Sequence, residues 1–286
     1  MKYDVRLVEA NVSRGFHWPY YISIPTEEQG GLFVIPNNTG KGSDDFEIHL
    51  KSAEQGVRKF PRLISGAVHL TPVFPRPSTH WQYYTHALDR DTILIDSSFD
   101  PTLIRIDLQL IAMVEDAASQ FGLQLRDRKF MMCGFSAAGQ FVNRFTLLHP
   151  ECVDATIAGS CGGHMVPIEK LDSTPLPFPI GVSDCEQITG HLFDGERFRR
   201  IPHLFLLGEN DTNDPVAYDD GYSQEERAII YGLFGGEGEL LRRFRKVECI
   251  FQDFGVNSIF KVYRNTGHEF TQEMFRDVQE FVSKVC

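Results

Sequence analysis

Lys129-Phe130-Met131-Met132-Cys133-Gly134-Phe135-Ser136-Ala137-Ala138-Gly139 runs from a short apolar segment, through a serine, into a stretch where Phe141, Phe145 and Leu148 recur at helical spacing. His149-Pro150 closes that helix, because proline cannot continue it. A serine at the apex of a sharp strand-to-helix turn needs small residues two positions before and after it, since the backbone there is strained and crowded. Gly134 and Ala138 meet that demand. Such a turn presents the Ser136 hydroxyl at the sheet edge and aims the free amides of a helix N-terminus at any oxyanion that develops beside it. The Ala137 N–H is the expected donor. Without further support, the same residues also suit a serine that only caps a helix.

Working outward from this unit, strands are expected at Asp4 to Asn11, Tyr20 to Ile24 and Gly31 to Ile35. The last is an uninterrupted apolar run ending at Pro36, as in a strand covered on both faces. Asp44 to Phe60 has helical spacing, and Gly66 to Thr71 resembles the next strand. Asp100 then caps a helix with Pro101 at its first position, running through Phe121. Beyond the serine turn, strands are expected at Ala155 to Ala158, His203 to Leu207 and Ile259 to Tyr263, and a last helix at Thr271 to Val285. Alternating strands and helices predict an α/β fold with a mainly parallel central sheet, helices on both faces and an antiparallel edge. A single domain over residues 1–286 is the expectation, with function at the carboxyl ends of the strands. The stretch 162–200, containing Pro175, Pro177 and Pro179, reads as an irregular lid or binding insertion.

Two of those strand ends carry further chemistry. His203 to Leu207 leads into Gly208-Glu209-Asn210-Asp211-Thr212-Asn213-Asp214-Pro215, an acidic turn, and the final strand leads into Asn265-Thr266-Gly267-His268. Each alone is an ordinary turn sequence. Together they place serine, acid and histidine in chain order, each just beyond a strand, where a carboxylate can hold an imidazole in the right tautomer and stabilise the imidazolium.

In these residues the chain resembles the α/β-hydrolase superfamily of serine esterases, and is most similar to the polyhydroxybutyrate-depolymerase-like and feruloyl-esterase-like groups. It departs from the usual pattern at Ala138, where the family has glycine, and Gly139 follows one residue later. The resemblance implies Ser136 as nucleophile, His268 as base and Asp211 as acid, with Asp211 ahead of Asp214 because it lies three residues after Gly208. It implies an acyl-enzyme route to carboxylic ester hydrolysis with no metal or organic cofactor. A second oxyanion donor is expected in the loop after the third strand. There Asn38 N–H leads, with Asn37 and Thr39 behind it, where the family commonly has His-Gly.

Other readings are weaker. Gly40-Lys41 lacks the spacing and the following Ser or Thr of a phosphate loop, His268-Glu269 does not continue into a zinc helix, and Gly235-Gly236-Glu237-Gly238 has no strand-turn-helix context. A formal net charge of −11 repels phosphate backbones and anionic headgroups, so neither nucleic acid nor membrane is expected as a partner. The basic run Arg242, Arg243, Arg245, Lys246 is read as a solvated helix face. The six cysteines contain no C-x-x-C pair and are expected as free, mostly buried thiols, with a Cys161 to Cys185 bridge the one alternative. The first residues lack a leader pattern, which points to the cytoplasm, or to secretion if a leader has been removed. Phe74, Trp81, Tyr83, Tyr84, Phe178 and Phe193 are candidates for the wall of an apolar or aromatic pocket, and His69 and His164 for its lining. The expected partner is a small-molecule or oligomeric ester. A serine peptidase with the same triad, and a catalytically silent binding protein, stay open as alternatives.

Overall fold

A computed structural model describes residues 2–27, 30–59, 64–96 and 98–285. Ten strands and nine α-helices occur among them. In chain order these are β1 (Tyr3–Val8), β2 (Tyr20–Pro25), β3 (Leu32–Val34), α1 (Phe46–Lys59), β4 (Val68–Pro72), α2 (Arg90–Ile93) and α3 (Ile106–Phe121). Then come β5 (Phe130–Phe135), α4 (Ala137–Leu148), β6 (Val153–Gly159), the hairpin β7 (Lys170–Leu171) and β8 (Thr174–Pro175), α5 (Cys185–Thr189) and α6 (Gly195–Arg200). The chain ends with β9 (His203–Gly208), α7 (Gln224–Leu233), α8 (Leu240–Phe254), β10 (Ser258–Tyr263) and α9 (Gln272–Val285).

Eight strands form one sheet in the order β1-β2-β4-β3-β5-β6-β9-β10. The β1–β2 and β2–β4 pairs are antiparallel and the remaining neighbours are parallel, as expected. Because successive side chains of a strand point to opposite faces, each central strand feeds two cores. Val34, Met132, Phe205 and Leu207 pack with α3 and α4 residues such as Met113, Phe141 and Phe145 on one face. Phe33, Met131, Cys133, Leu204 and Leu206 pack with Met274, Val278 and Phe281 of α9 on the other. Among the described residues no helix is long and apolar enough to cross a membrane.

The strand order reverses at β3: the chain passes from β3 to β4 on one side and later returns with β5 on the other. Loops leaving the carboxyl ends of adjacent strands at such a switch point splay apart and leave a crevice. The loop after β3, with Asn38, and the turn after β5, with Ser136, flank it.

Several expectations need correction. Asp100-Pro101 does not start the long helix. Asp100 accepts from Thr102 N (2.9 Å) and Thr102 Oγ1 (2.6 Å) in a separate turn, and Arg105 at φ 46° breaks the path before α3 begins at Ile106. Phe60, named above as the end of a helix, and Cys286, one of the six cysteines, lie outside the described residues. Arg243 is not on a solvated face: it is 2% exposed and its guanidinium pairs with Asp214 at 2.5 Å, while Arg242 and Arg245 of the same run are exposed. Cys161 and Cys185, by contrast, are free thiols as expected, and the alternative bridge is not formed. The 162–200 stretch carries only the short elements β7, β8, α5 and α6.

Two contacts set the positions of the elements around the crevice. The first joins the start of α3 to the end of α4. Asp107, fully buried, is gripped by Arg105 at 2.9 and 2.6 Å and by His149 Nε2 at 2.7 Å. Burial pushes the Asp107 carboxyl up, but its hydrogen bonds from His149 and Arg105 outweigh that and hold it at about 2. Burial pushes His149 down, yet its bonds to Asp107 and Glu151 leave it raised. The second contact is at Gly208, where a Cβ would collide with the carbonyls of Thr266 and Gly267. Hydrogen bonds from Asn210 N to Thr266 O (2.8 Å), Glu209 N to Tyr263 O (2.9 Å) and Asn265 N to Glu209 Oε2 (3.1 Å) clasp the loops after β9 and β10 together.

His149 protonation favours the folded state, so its contribution is complete below the unfolded-state value of about 6.5 and is lost as pH rises through the raised folded value. His149→Gln is therefore expected to lower the thermal midpoint more at pH 6 than at pH 9, and equal losses at both would show that the pair does not carry the charge. Gly208→Ala is expected to destabilise the fold by about 2 kcal/mol, as overpacking does. An unchanged denaturant midpoint would remove Gly208 as the point of closest approach.

Candidate active site

Ser136 sits between β5 and α4 at φ 60° and ψ −128°, a backbone conformation that costs about 1–3 kcal/mol for a side chain other than glycine. The turn survives because its surroundings leave it no alternative. Ser136 N donates to Gly159 O at 2.8 Å, and Gln140 N donates back to Ser136 O at 3.1 Å. A Cβ on Gly134 would overlie the Ala138 carbonyl, and one on Gly139 would come within 2.7 Å of Gly159 O and 2.9 Å of Cys161 Sγ. Ala138 is buried without such a conflict. The third residue after the serine, rather than the second, is thus where α4 approaches β6 most closely and glycine is required.

His268 and Asp211 meet across the clasped loops. The His268 Nδ1 lies 3.1 Å from Asp211 Oδ1 and 3.0 Å from Oδ2. Asp211 also accepts from Asn213 N at 2.9 Å. Burial works to raise this carboxyl, but the bonds from His268 and the Asn213 amide outweigh it, so the group stays below the usual carboxylate range and ionised at neutral pH. The imidazole is tilted against the ring of Phe135, centroids 5.1 Å apart, and Phe135 is the residue before Ser136. Ser136 and His268 line one cleft of about 750 Å³. Among the described residues no hydrogen bond joins their side chains: the His268 Nε2 instead faces Asn213 Nδ2 at 3.1 Å.

Asp214 is engaged elsewhere. It caps the one-turn helix Pro215–Ala217 through Val216 N (3.0 Å), accepts from Gly238 N (2.8 Å) and pairs with the buried Arg243. Arg243 in turn donates to Gly162 O (3.3 Å) and Gly236 O (2.8 Å). This carboxylate anchors the turn that walls the cleft and does not reach the imidazole.

Of the candidates after β3, Thr39 N is spent on His86 Nδ1 at 3.4 Å. Asn37 is buried with its side chain bonded to Phe74 O and N, at 2.8 and 3.1 Å, which holds the loop in shape. Asn38 and Ala137 both line the cleft, and among the described residues neither backbone N–H has a hydrogen-bond partner.

The remaining lining differs from expectation. Trp81 and Tyr84 are in the cleft wall, but Phe74 and Phe178 are core residues, Phe193 packs on Phe198 and Phe254, and Tyr83 packs on Phe99. His69 is fully buried in β4, and His164 packs between Phe205 and Phe244. Among the described residues none of the lining of this cleft comes from 162–200, although Ser160 and Cys161, just before that stretch, do line it. The wall is built instead by Asn213, Pro215 and 217–220, which the acidic, turn-rich sequence signals only as a loop, and by Arg76. Arg76 stacks 3.6 Å over the Tyr84 ring, donates to Gly40 O at 3.0 Å and pairs with Asp220 at 2.5 Å.

No protein-family profile matches the chain. No curated protein matches it either. Solved structures do. A poly(aspartic acid) hydrolase from Sphingomonas sp. KT-1 is similar over 99% of this chain and 97% of its own, with a TM-score of 0.60 at 17% identity. A ferulic acid esterase matches over 99% and 98%, with a TM-score of 0.57 at 13% identity. A poly(3-hydroxybutyrate) depolymerase from Bordetella parapertussis matches over 99% and 87%, with a TM-score of 0.55 at 14% identity. At such identities the likeness is one of fold. With its reversed strand order, its serine on a strained turn after β5 and these neighbours, the chain has the α/β-hydrolase fold.

Proposed function

We propose that this protein is a serine esterase that cleaves carboxylic esters through an acyl-enzyme. The observation that carries the reading is the pairing of His268 Nδ1 with both oxygens of an ionised, buried Asp211, on the rim of the cleft that holds Ser136. A carboxylate so placed keeps the proton on Nδ1 and leaves Nε2 as a base. In this reading Nε2 accepts the Ser136 proton as Oγ attacks the ester carbonyl. The developing oxyanion is stabilised by the unpartnered amides of Ala137, at the N-terminus of α4, and Asn38. The same imidazole then protonates the departing alcohol and later activates the water that releases the acid. The strained Ser136 turn supports this account, since strain of that kind is kept where it positions a reacting group. The names of the similar structures, a ferulic acid esterase and a polymer-ester depolymerase among them, agree with carboxylic esters as substrates.

Labelling of the protein by a fluorophosphonate, and its loss in Ser136→Ala, is the expected outcome. Labelling that persists in the variant would overturn Ser136 as nucleophile, and hydrolysis of a peptide anilide in preference to a matched p-nitrophenyl ester would favour a peptidase. Asp211→Asn is expected to lower kcat on the ester by about a thousandfold or more, as loss of the tautomer-fixing carboxylate does. Asp214→Asn should act on stability instead, costing about 3 kcal/mol by orphaning Arg243. Its turnover per folded molecule should stay within a few-fold of the parent, and the reverse pattern would exchange the two roles.

A further inference from the structure

Among the described residues Asn213 is the one that meets the imidazole of His268 at Nε2. Its Nδ2 donates to His268 Nε2 at 3.1 Å, its Oδ1 accepts from the Tyr218 hydroxyl at 3.1 Å, and its backbone N donates to Asp211 Oδ1 at 2.9 Å. All three partners are on or beside the cleft. A neutral imidazole with its proton on Nδ1 has a single acceptor lone pair, on Nε2. While the Asn213 amide occupies that lone pair, it is closed to the Ser136 proton. The Ser136 hydroxyl correspondingly has no hydrogen bond among the described residues.

We infer that Asn213 is a positioning residue that holds His268 in a resting state, off Ser136, and yields Nε2 when an ester enters. This deepens, and rests on, the esterase reading above. Fixing the tautomer is not its function, because Asp211 does so from the other side of the ring. What the amide adds is competition for Nε2. The Tyr218 hydroxyl strengthens the competition by anchoring Oδ1, which orients the NH2 group toward the ring. Tyr218 is 50% exposed at the cleft mouth, so a bound substrate can dislodge the arm without disturbing the core. The backbone bond from Asn213 to Asp211 does not depend on the side chain, so trimming the amide leaves the acid's own support in place. On acylation the proton moves from Ser136 Oγ to Nε2 as the Oγ–carbon bond forms and the carbonyl pair moves to oxygen; the pair then returns, the carbon–alkoxy bond breaks and Nε2 gives its proton to the departing alcohol. Nothing beyond the ester and the three side chains is needed.

The test uses the full chain with 15N-labelled histidine. Asn213→Ala is expected to shift the His268 Nε2 resonance toward that of a nitrogen with no donor, with the Nδ1–H resonance retained. The second-order rate of fluorophosphonate acylation at Ser136 should rise about two- to tenfold, the factor that corresponds to losing one competing neutral hydrogen bond. Tyr218→Phe should move both readings the same way by less. An unchanged Nε2 resonance, or a slower acylation in both variants, would overturn the latch. The resonance is read without turnover. A protein that shows the Nε2 shift but never reacts with the probe would therefore fail the esterase reading and not the hydrogen bond.

Discussion

The close approach of the loops after β9 and β10 is the constraint on which the site depends. Parallel pairing of β9 with β10 brings the two strand ends level, with Gly208 opposite Tyr263. Level ends are not sufficient, because the side chains of Asp211 and His268 have to face each other across a few ångströms. The missing side chain at Gly208 admits the Thr266 and Gly267 carbonyls, and the backbone bonds of Glu209 and Asn210 lock them there. A buried carboxylate would otherwise be driven toward its neutral form. Here the imidazole and the Asn213 amide compensate for the lost water, and the charge persists.

The serine reaches the same rim by a different route. β5 lies in the middle of the sheet, between β3 and β6, and the turn at its end is strained because α4 must start at once and lie flat on β6. Close helix–strand approach explains the glycine three residues after the serine, and the helix N-terminus explains why free amides gather beside it. The reversal of strand order at β3 brings Asn38 to the same cleft. The sheet order, more than any one contact, therefore makes a crevice with donors on both sides.

Around this rim the cleft is more polar than a pocket for a purely apolar acyl chain. Arg76 with Asp220 and Tyr84, and Asn213 with Tyr218, surround the aromatic surface of Trp81. Their placement depends on buried charges behind them. Arg243 reaches Asp214, Gly162 and Gly236 together, tying the turn after β9, the turn after β6 and the loop before α8 into one support. A buried ion pair of this kind contributes little net stability, but it specifies one arrangement of three segments that have no regular pairing of their own.

The alternation of apolar runs and helical spacing was enough to determine the parallel sheet, its antiparallel edge and the places of Ser136, Asp211 and His268 after three strands, because strand and helix periodicity are local properties of the chain. The break before α3 was not legible, since the cap signal of Asp100-Pro101 is real and serves a turn instead. Nor was the burial of Arg243, whose partners come from three separate segments. The lining of the cleft by Asn213, Pro215 and 217–220, the exclusion of Thr39 by His86 and the hold of Asn213 on Nε2 were decided only in three dimensions. Each depends on side chains far apart in sequence competing for one atom, and that competition leaves no periodicity to read.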